Sequence, residues 1–505
     1  VRLISGLKTQ TNAVLAFSFF VFFAAAYVFT CVSTYSYDGL CYALDAEYGP
    51  LTNLFHANHL LYGFLMRGLW RCASVFGYSG HAIYVMQVAN LLSASAAVAL
   101  LFYLLSKRAG RFAAALAAFA MGTSHALWIN ASDPGCYGLA TFAATLLLGL
   151  FLKIGEWSAF CLGLSHGALV LCHQLLILPA AAFLFRLQRM SSRQRAARGG
   201  MAMYMLGLFL SAGTLYLVLG WHFHGPGVGR VFYWLTHPAD AIWSPANIHF
   251  WSFTTHSFFD SWAGFCASVM APPVGGMTVA IGIWIIGFII SALIKPILPM
   301  ELWLWPLILF LFQMFYFPTA FTYRLLSWPP FFALLFANGD WTRHRRWFAP
   351  AIFLIILAVH NGHAAWTRHQ IPNIDYARSQ WVRSVVGPHD FFIFSGRDAR
   401  SITNVSLAYF AHETPARSLY GYLFLQPTGD WKPLENQLRT VLAQGGHIYI
   451  EAALREPDVL ASLAEERGLP PQTLQPFLKA WKPVRRFTGP DGYALDQSTL
   501  DFQAR

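Results

Sequence analysis

The sequence predicts a polytopic α-helical membrane protein of about eleven transmembrane helices with a small C-terminal extracytoplasmic α/β domain. Three observations carry this. Hydrophobic residues make up 56% of the 505 residues and charged ones only 11%, against roughly 25% charged in a soluble domain. Apolar runs of the roughly 20 residues needed to cross a bilayer recur from Thr11 to about Gly362. Finally, the arginines behind the net charge of +11 cluster in short loops between those runs. That pattern is orientation charge and not a nucleic-acid patch, so no nucleic-acid partner is expected.

The first run, Asn12 to Cys31, shows no small-residue cleavage pattern and reads as a retained anchor. Lys107, Arg108 and Arg111 form one basic loop. Arg186, Arg189, Arg193, Arg195 and Arg198 form a second, and Arg343, Arg345 and Arg346 a third. The positive-inside rule makes all three cytoplasmic, and Arg2 and Lys8 put the N-terminus there too. From Phe112 to Phe185 the hydropathy shows blocks at about 112–130, 136–153 and 157–185, yet two cytoplasmic ends require an even number of crossings. The last block is therefore expected to be two short helices broken near Cys172 and His173. Met201 to Trp221, then about 274–294, 301–318, 325–338 and Phe348 to His363 complete the spans. The large polar segments 33–84, 222–273 and 364–505 then fall on one, non-cytoplasmic side. The expected division is a membrane domain over 1–363 and a soluble domain over 364–505.

In that tail, Asp390 to Ser395 reads as a buried strand, Leu434 to Ala443 as an amphipathic helix and Gly446 to Glu451 as a second strand. Gly445-Gly446 reads as a helix stop and not a phosphate loop, since no G-x-G-x-x-G or Walker pattern accompanies it. Trp431 and Trp481 would suit sugar stacking, although single tryptophans are more often core. Seven scattered cysteines lack the paired short spacing of a zinc or redox site. Cys41 and Cys136 would be placed to pair in an oxidising compartment, but buried apolar thiols are the expectation.

Candidates for chemistry gather in the outer segments. The first outer loop holds Asp38, Asp45, Glu47, His56 and His59; Asp45 and Glu47 suit an ordinary solvated loop equally well. Asp38 follows the first span almost at once, close to the lipid head groups. His56 and His59, three apart, would share one face of a helix, and Leu60 to Leu69 would lie amphipathic on the bilayer. Asp133, in Asp133-Pro-Gly with Tyr137 beyond, is either a site residue or turn chemistry. His173 is ionisable inside an apolar block, which is costly without a function. Arg324, beside Tyr323 at an outer helix end, stands against the positive-inside bias and suits an anion such as a lipid phosphate, or snorkels to ordinary head groups.

In order and placement these features resemble the GT-C superfamily of membrane glycosyltransferases, particularly bacterial relatives of protein O-mannosyltransferases and lipid A aminoarabinose transferases. Asp38 matches the acidic residue of their first outer loop, and His56-Ala-Asn58-His59 stands where they often carry His-Pro-Pro-Gly. Asp133 and Tyr137 are similar to the acidic residue and tyrosine of their second outer turn. Gly163-Leu-Ser-His166 and His173 to Pro179 look like their next run, and Tyr323-Arg324 before Pro329-Pro330 resembles their late Arg-Tyr or Tyr-Arg pair.

The resemblance implies a GT-C-like fold and an inverting sugar transfer from a polyprenyl-phosphate-linked donor to a protein, glycan or lipid acceptor. Asp38 would be the base, Arg324 and Tyr323 would bind the donor phosphate, and His56, His59, Asp133, Tyr137 and His173 would shape the sugar and acceptor pockets. No cofactor is required, and a divalent metal is allowed. The expected setting is a bacterial inner membrane with the site and tail in the periplasm. The rival expectation is a transporter or flippase of a lipid-linked saccharide, which would gather ionisable residues at the midplane.

Overall fold

In a bilayer every backbone N–H and C=O must find a partner within its own segment, so long apolar runs fold as helices. The computed structural model describes residues 2–193, 199–236, 257–272, 297–315, 322–337, 348–387, 389–394, 402–410, 417–419, 432–466 and 475–500. The predicted span 274–294, the arginines of the third basic loop, Arg195, Arg198 and Trp431 lie outside the described residues. The described residues divide into two compact units. One takes those of 1–32, 45–238 and 250–371; the other takes those of 33–44 and 372–505.

The larger unit is helical. Its N-terminal part holds α1 (Arg2–Phe29), the end of α2 (Tyr37–Glu47), α3 (Leu60–Val75), α4 (Ala82–Ser106), α5 (Arg111–Thr123), α6 (His125–Ala131), α7 (Tyr137–Leu152), α8 (Ala159–Val170), α9 (Ala180–Arg193), α10 (Gly200–Leu208) and α11 (Thr214–His224). Helices at Ser257–Val269, Leu304–Phe315, Trp328–Ala337 and Phe348–His369 follow. Among the described residues, four stretches are long and apolar enough to cross a membrane: Gln10–Phe29, Ala82–Ser106, Gly200–Phe223 and one within Pro350–Val385. The pair α5 and α6, bent by 61°, makes a fifth if it is one span. Among the described residues, length and composition thus identify fewer spans than the eleven read from hydropathy over the whole chain: 274–294 lies outside them, and helices such as Tyr137–Leu152 and Ala159–Val170 are shorter than a full crossing.

The core is filled by small and branched residues, among them Ala94, Ala97, Val98 and Leu101 of α4, Ala117 of α5 and Ala144 of α7. α8 and α10 cross through glycines: a Cβ on Gly163 would collide with the Tyr204 carbonyl oxygen, and one on Gly207 with that of Phe160. That approach lets His166 bridge the Tyr204 hydroxyl at 2.5 Å and the Leu176 carbonyl at 2.7 Å. His166 therefore serves packing. It holds the predicted break: α8 ends at Val170, a 3-10 turn runs Gln174–Ile177, and α9 begins at Ala180. At the far end of α9, Arg189 and Arg186 pair with the buried Glu301 carboxylate at 2.7 and 3.6 Å. These two arginines of the second basic loop thus tie helix ends together.

The smaller unit carries a five-stranded sheet in the order β2-β1-β3-β5-β4. The strands are β1 (Phe391–Ile393), β2 (Arg417–Leu419), β3 (Ile448–Glu451), β4 (Trp481–Thr488) and β5 (Ala494–Leu500). β1 pairs parallel with β2 and β3; β5 pairs antiparallel with β3 and β4. The helix Lys432–Ala443 stops at Gly445, whose φ is +80°, before β3. Trp481 is buried in the sheet core, the core role and not the sugar-stacking one. Of the cysteines, Cys136, Cys172 and Cys266 are buried.

Candidate functional site

Three charged residues of the segment 33–84, Asp45, Glu47 and Arg67, are occupied with building it. Arg67 of α3 is buried and donates to the carbonyls of Asp45, Ala46 and Gly49. It thereby closes the C-terminus of α2, where a cation also meets the negative end of the helix dipole. Glu47 accepts the Ala82 amide at 2.7 Å and pairs with His81 at 3.0 Å, anchoring the first turn of α4. Asp45 accepts from Asn53 at 3.0 Å, with His56 Nε2 3.9 Å away.

Beyond this scaffold the chain gathers five of the predicted site residues. Ring centroids lie 5.3 Å apart for His56 and His59, and 6.2 Å for His59 and His173. His173 lies 5.9 Å from Tyr137 and 5.8 Å from Tyr323, which are 6.1 Å from each other. His56 and His59 do not share a helix face as the three-residue spacing suggested. His56 sits in the loop after a 3-10 turn (Leu51–Leu54), and His59 caps α3 with φ −157°. Their rings meet because the turn at Ala57 and Asn58 brings them together. Burial, reinforced by His56 and His173, holds the His59 imidazole well below its usual range, so the ring is neutral at neutral pH.

Two of the five, His173 and Tyr323, line a cavity of about 490 Å³, within the range of small-molecule sites; His56, His59 and Tyr137 are not among its lining residues. One end carries Asn58, His173, Gln174 and Tyr323; the wall is apolar, with Leu208, Phe209 and Phe312 among its residues. A π-helical turn, Phe209–Gly213, joins α10 to α11 and lies along this wall, where such bulges recur at functional sites. The loop and the broken helix are zipped together. Gln174 N–H donates to the Asn58 carbonyl at 2.7 Å, Leu61 N–H to the Leu171 carbonyl at 2.9 Å, and Tyr216 hydroxyl to the Ala57 carbonyl at 3.1 Å. His173 Nδ1 accepts the Leu175 N–H at 3.3 Å, which leaves Nε2 to carry the proton of a neutral ring.

The other predicted residues sit differently. Asp133 is buried, its carboxylate accepting the Gly135 N–H at 3.0 Å in an Asx turn. Tyr62, reaching the carbonyls of Pro134 and Gly135, docks that turn on α3. Arg324 is also buried, in a 3-10 turn (Thr322–Ser327), with Nη2 donating to Ser261 O at 2.5 Å and Oγ at 3.2 Å. Tyr323 lines the cavity; Arg324 and Asp133 are not among its lining residues. Asp38 lies exposed in the first turn of α2, in the stretch 33–44 that clusters with the smaller unit. Among the described residues no three His, Cys, Asp or Glu side chains converge as metal ligands. Asn58 and Gln174 are the cavity residues that motif reasoning passed over, and the signal was polar amides beside His59 and His173 in otherwise apolar surroundings.

No protein-family model matches this chain, and no curated protein does. Solved structures do. The chain is similar to ArnT of Cupriavidus metallidurans, with a TM-score of 0.59 and 9% identity to the apo state, covering 96% of this chain and 98% of that one. The structure of ArnT bound to undecaprenyl phosphate gives a TM-score of 0.58 at 10% identity, with the same coverage. The apo oligosaccharyltransferase of Archaeoglobus fulgidus gives 0.54 at 12% identity, over 96% of this chain and 74% of that one. At these identities the likeness shows the fold, which this chain shares with those structures. That fold and the apolar helices together make it an integral, multi-pass membrane protein.

Proposed function

We propose that this chain is a glycosyltransferase that moves a sugar from a polyprenyl-phosphate-linked donor to an acceptor on the non-cytoplasmic face, with inversion. The observation that carries this reading is the cavity, apolar along its wall and neutral-polar at one end. An isoprenoid chain needs the first surface and a sugar the second. The structural neighbour bound to undecaprenyl phosphate supports the same class of donor.

In the proposed step the acceptor's hydroxyl oxygen attacks the anomeric carbon while the bond from that carbon to the phosphate oxygen breaks. The phosphate leaves with the electron pair, and the acceptor's proton passes to the Asp38 carboxylate, which acts as general base. Arg324, fixed by Ser261, supplies positive charge where water is excluded, and Tyr323 supplies a hydroxyl for the departing phosphate. His56, His59, Tyr137 and His173 form the sugar side, Asp133 shapes the adjoining turn, and the smaller unit positions the acceptor. The assigned setting is a bacterial inner membrane with the chemistry in the periplasm.

The test is transfer or hydrolysis of a radiolabelled polyprenyl-phosphate sugar by the purified protein in liposomes. Asp38→Asn should slow it by about 10²–10⁴-fold with the unfolding temperature unchanged. Wild-type turnover in that variant would remove Asp38 from the mechanism. A wild-type protein that carries the lipid across the bilayer without cleaving it would establish the transporter instead.

A further inference from the structure

Asn58 and Gln174 enter the cavity from two distant parts of the chain, the loop before α3 and the break after α8. Their backbones are locked by the 2.7 Å bond from Gln174 N–H to the Asn58 carbonyl, and their side-chain amides are joined by Gln174 Nε2 donating to Asn58 Oδ1. One amide–amide bond leaves an NH₂ group on one side chain and a carbonyl oxygen on the other, whichever way round the two amides are placed. Among the described residues neither leftover group has a protein partner. The cavity end therefore holds a fixed donor beside a fixed acceptor. Among the described residues, no Asp, Glu, Lys or Arg lines the cavity.

That chemistry discriminates between the parts of a lipid-linked sugar. A phosphodiester only accepts hydrogen bonds, so an outward carbonyl oxygen works against it. An isoprenoid offers nothing to either group and would leave both unpaired at a cost. A hydroxyl both donates and accepts, and two adjacent hydroxyls satisfy an NH₂ and a carbonyl together. We infer that Asn58 and Gln174 are specificity-determining residues that hold adjacent hydroxyls of the donor's sugar. This rests on the glycosyltransferase reading above and assigns it a sugar contact. A site built to hydrogen-bond a substrate's hydroxyls rejects analogues lacking them far better than an apolar pocket does.

The experiment measures binding of decaprenyl phosphate and of a panel of decaprenyl-phosphate glycosides (mannose, glucose, arabinofuranose) to the full chain in nanodiscs. Wild type should prefer at least one glycoside over the bare carrier. Gln174→Met should cut that preference by about tenfold while bare-carrier affinity stays within about twofold. Gln174→Glu keeps a bond to Asn58, and with it the loop tie, but spends the Asn58 NH₂ on that bond and turns carboxylate and carbonyl acceptors to the cavity, so its preference should fall as well. A purely structural role would lower affinity for carrier and glycoside by the same factor, and that result would overturn the inference. Wild type that binds bare carrier as tightly as every glycoside would also overturn it, with the lipid-donor reading intact. Binding of neither probe would remove that reading and the inference together.

Discussion

Two neighbouring regions of the helical unit use polar residues in opposite ways. Between Asp45 and Arg67 the ionic groups are spent on the chain itself: Arg67 gathers three backbone carbonyls, and Glu47 takes an amide and an imidazole. At the cavity end, uncharged Asn58, His173 and Gln174 are fixed by backbone bonds and turn toward space a ligand can fill. Burying a charge requires full compensation, so near a bilayer a charge is first a fold constraint. A neutral amide costs less to leave facing a cavity, and there it is the better marker of recognition.

The largest effect that would break this contrast is at Arg67. Arg67→Met strands three carbonyls, so it should lower stability by about 2–4 kcal/mol, read as the thermal midpoint in detergent, with donor affinity per folded molecule unchanged. Loss of affinity at full stability would move Arg67 into the site.

Arg324 tests the contrast from the other side, as a buried charge proposed to serve the ligand. Arg324→Lys keeps the charge but loses the planar fork, and should weaken binding of a non-hydrolysable polyprenyl-phosphate analogue by about tenfold. Unchanged affinity with a lowered thermal midpoint would assign Arg324 to the Ser261 contact alone.

The smallest effect is the pH dependence set by His59. Its folded pKa lies well below the ordinary 6.5, through burial first and then His56 and His173. As pH falls below 6.5 the unfolded chain takes up a proton that the folded ring refuses, so stability is full above that pH and declines below it. The slope is at most about 1.4 kcal/mol per pH unit, and His59→Gln should flatten the midpoint-versus-pH curve. An unchanged curve would show that His59 is not buried neutral.

Much of this was legible in the sequence where the signal is local. The break near His173 followed from counting crossings between arginine-rich loops, and the strand, helix and strand at β1, Lys432–Ala443 and β3 followed from hydrophobic periodicity and the paired glycines. His56 and His59 show the limit. Their spacing suggested a shared helix face, but the turn at Ala57 and Asn58 brings the rings together before α3 begins.

By itself, then, the sequence determined the class of molecule and the break in its helices near His173, because hydrophobic run length and loop charge act without reference to distant residues. The tertiary structure alone decided which polar groups are spent and which remain. Asn58 meets Gln174 across 116 positions, and Arg324 meets Ser261 across 63. No pattern in either stretch encodes its partner; the first pair exists because glycine-mediated crossing of α8 and α10, held by His166, fixes the broken helix where the loop before α3 can reach it.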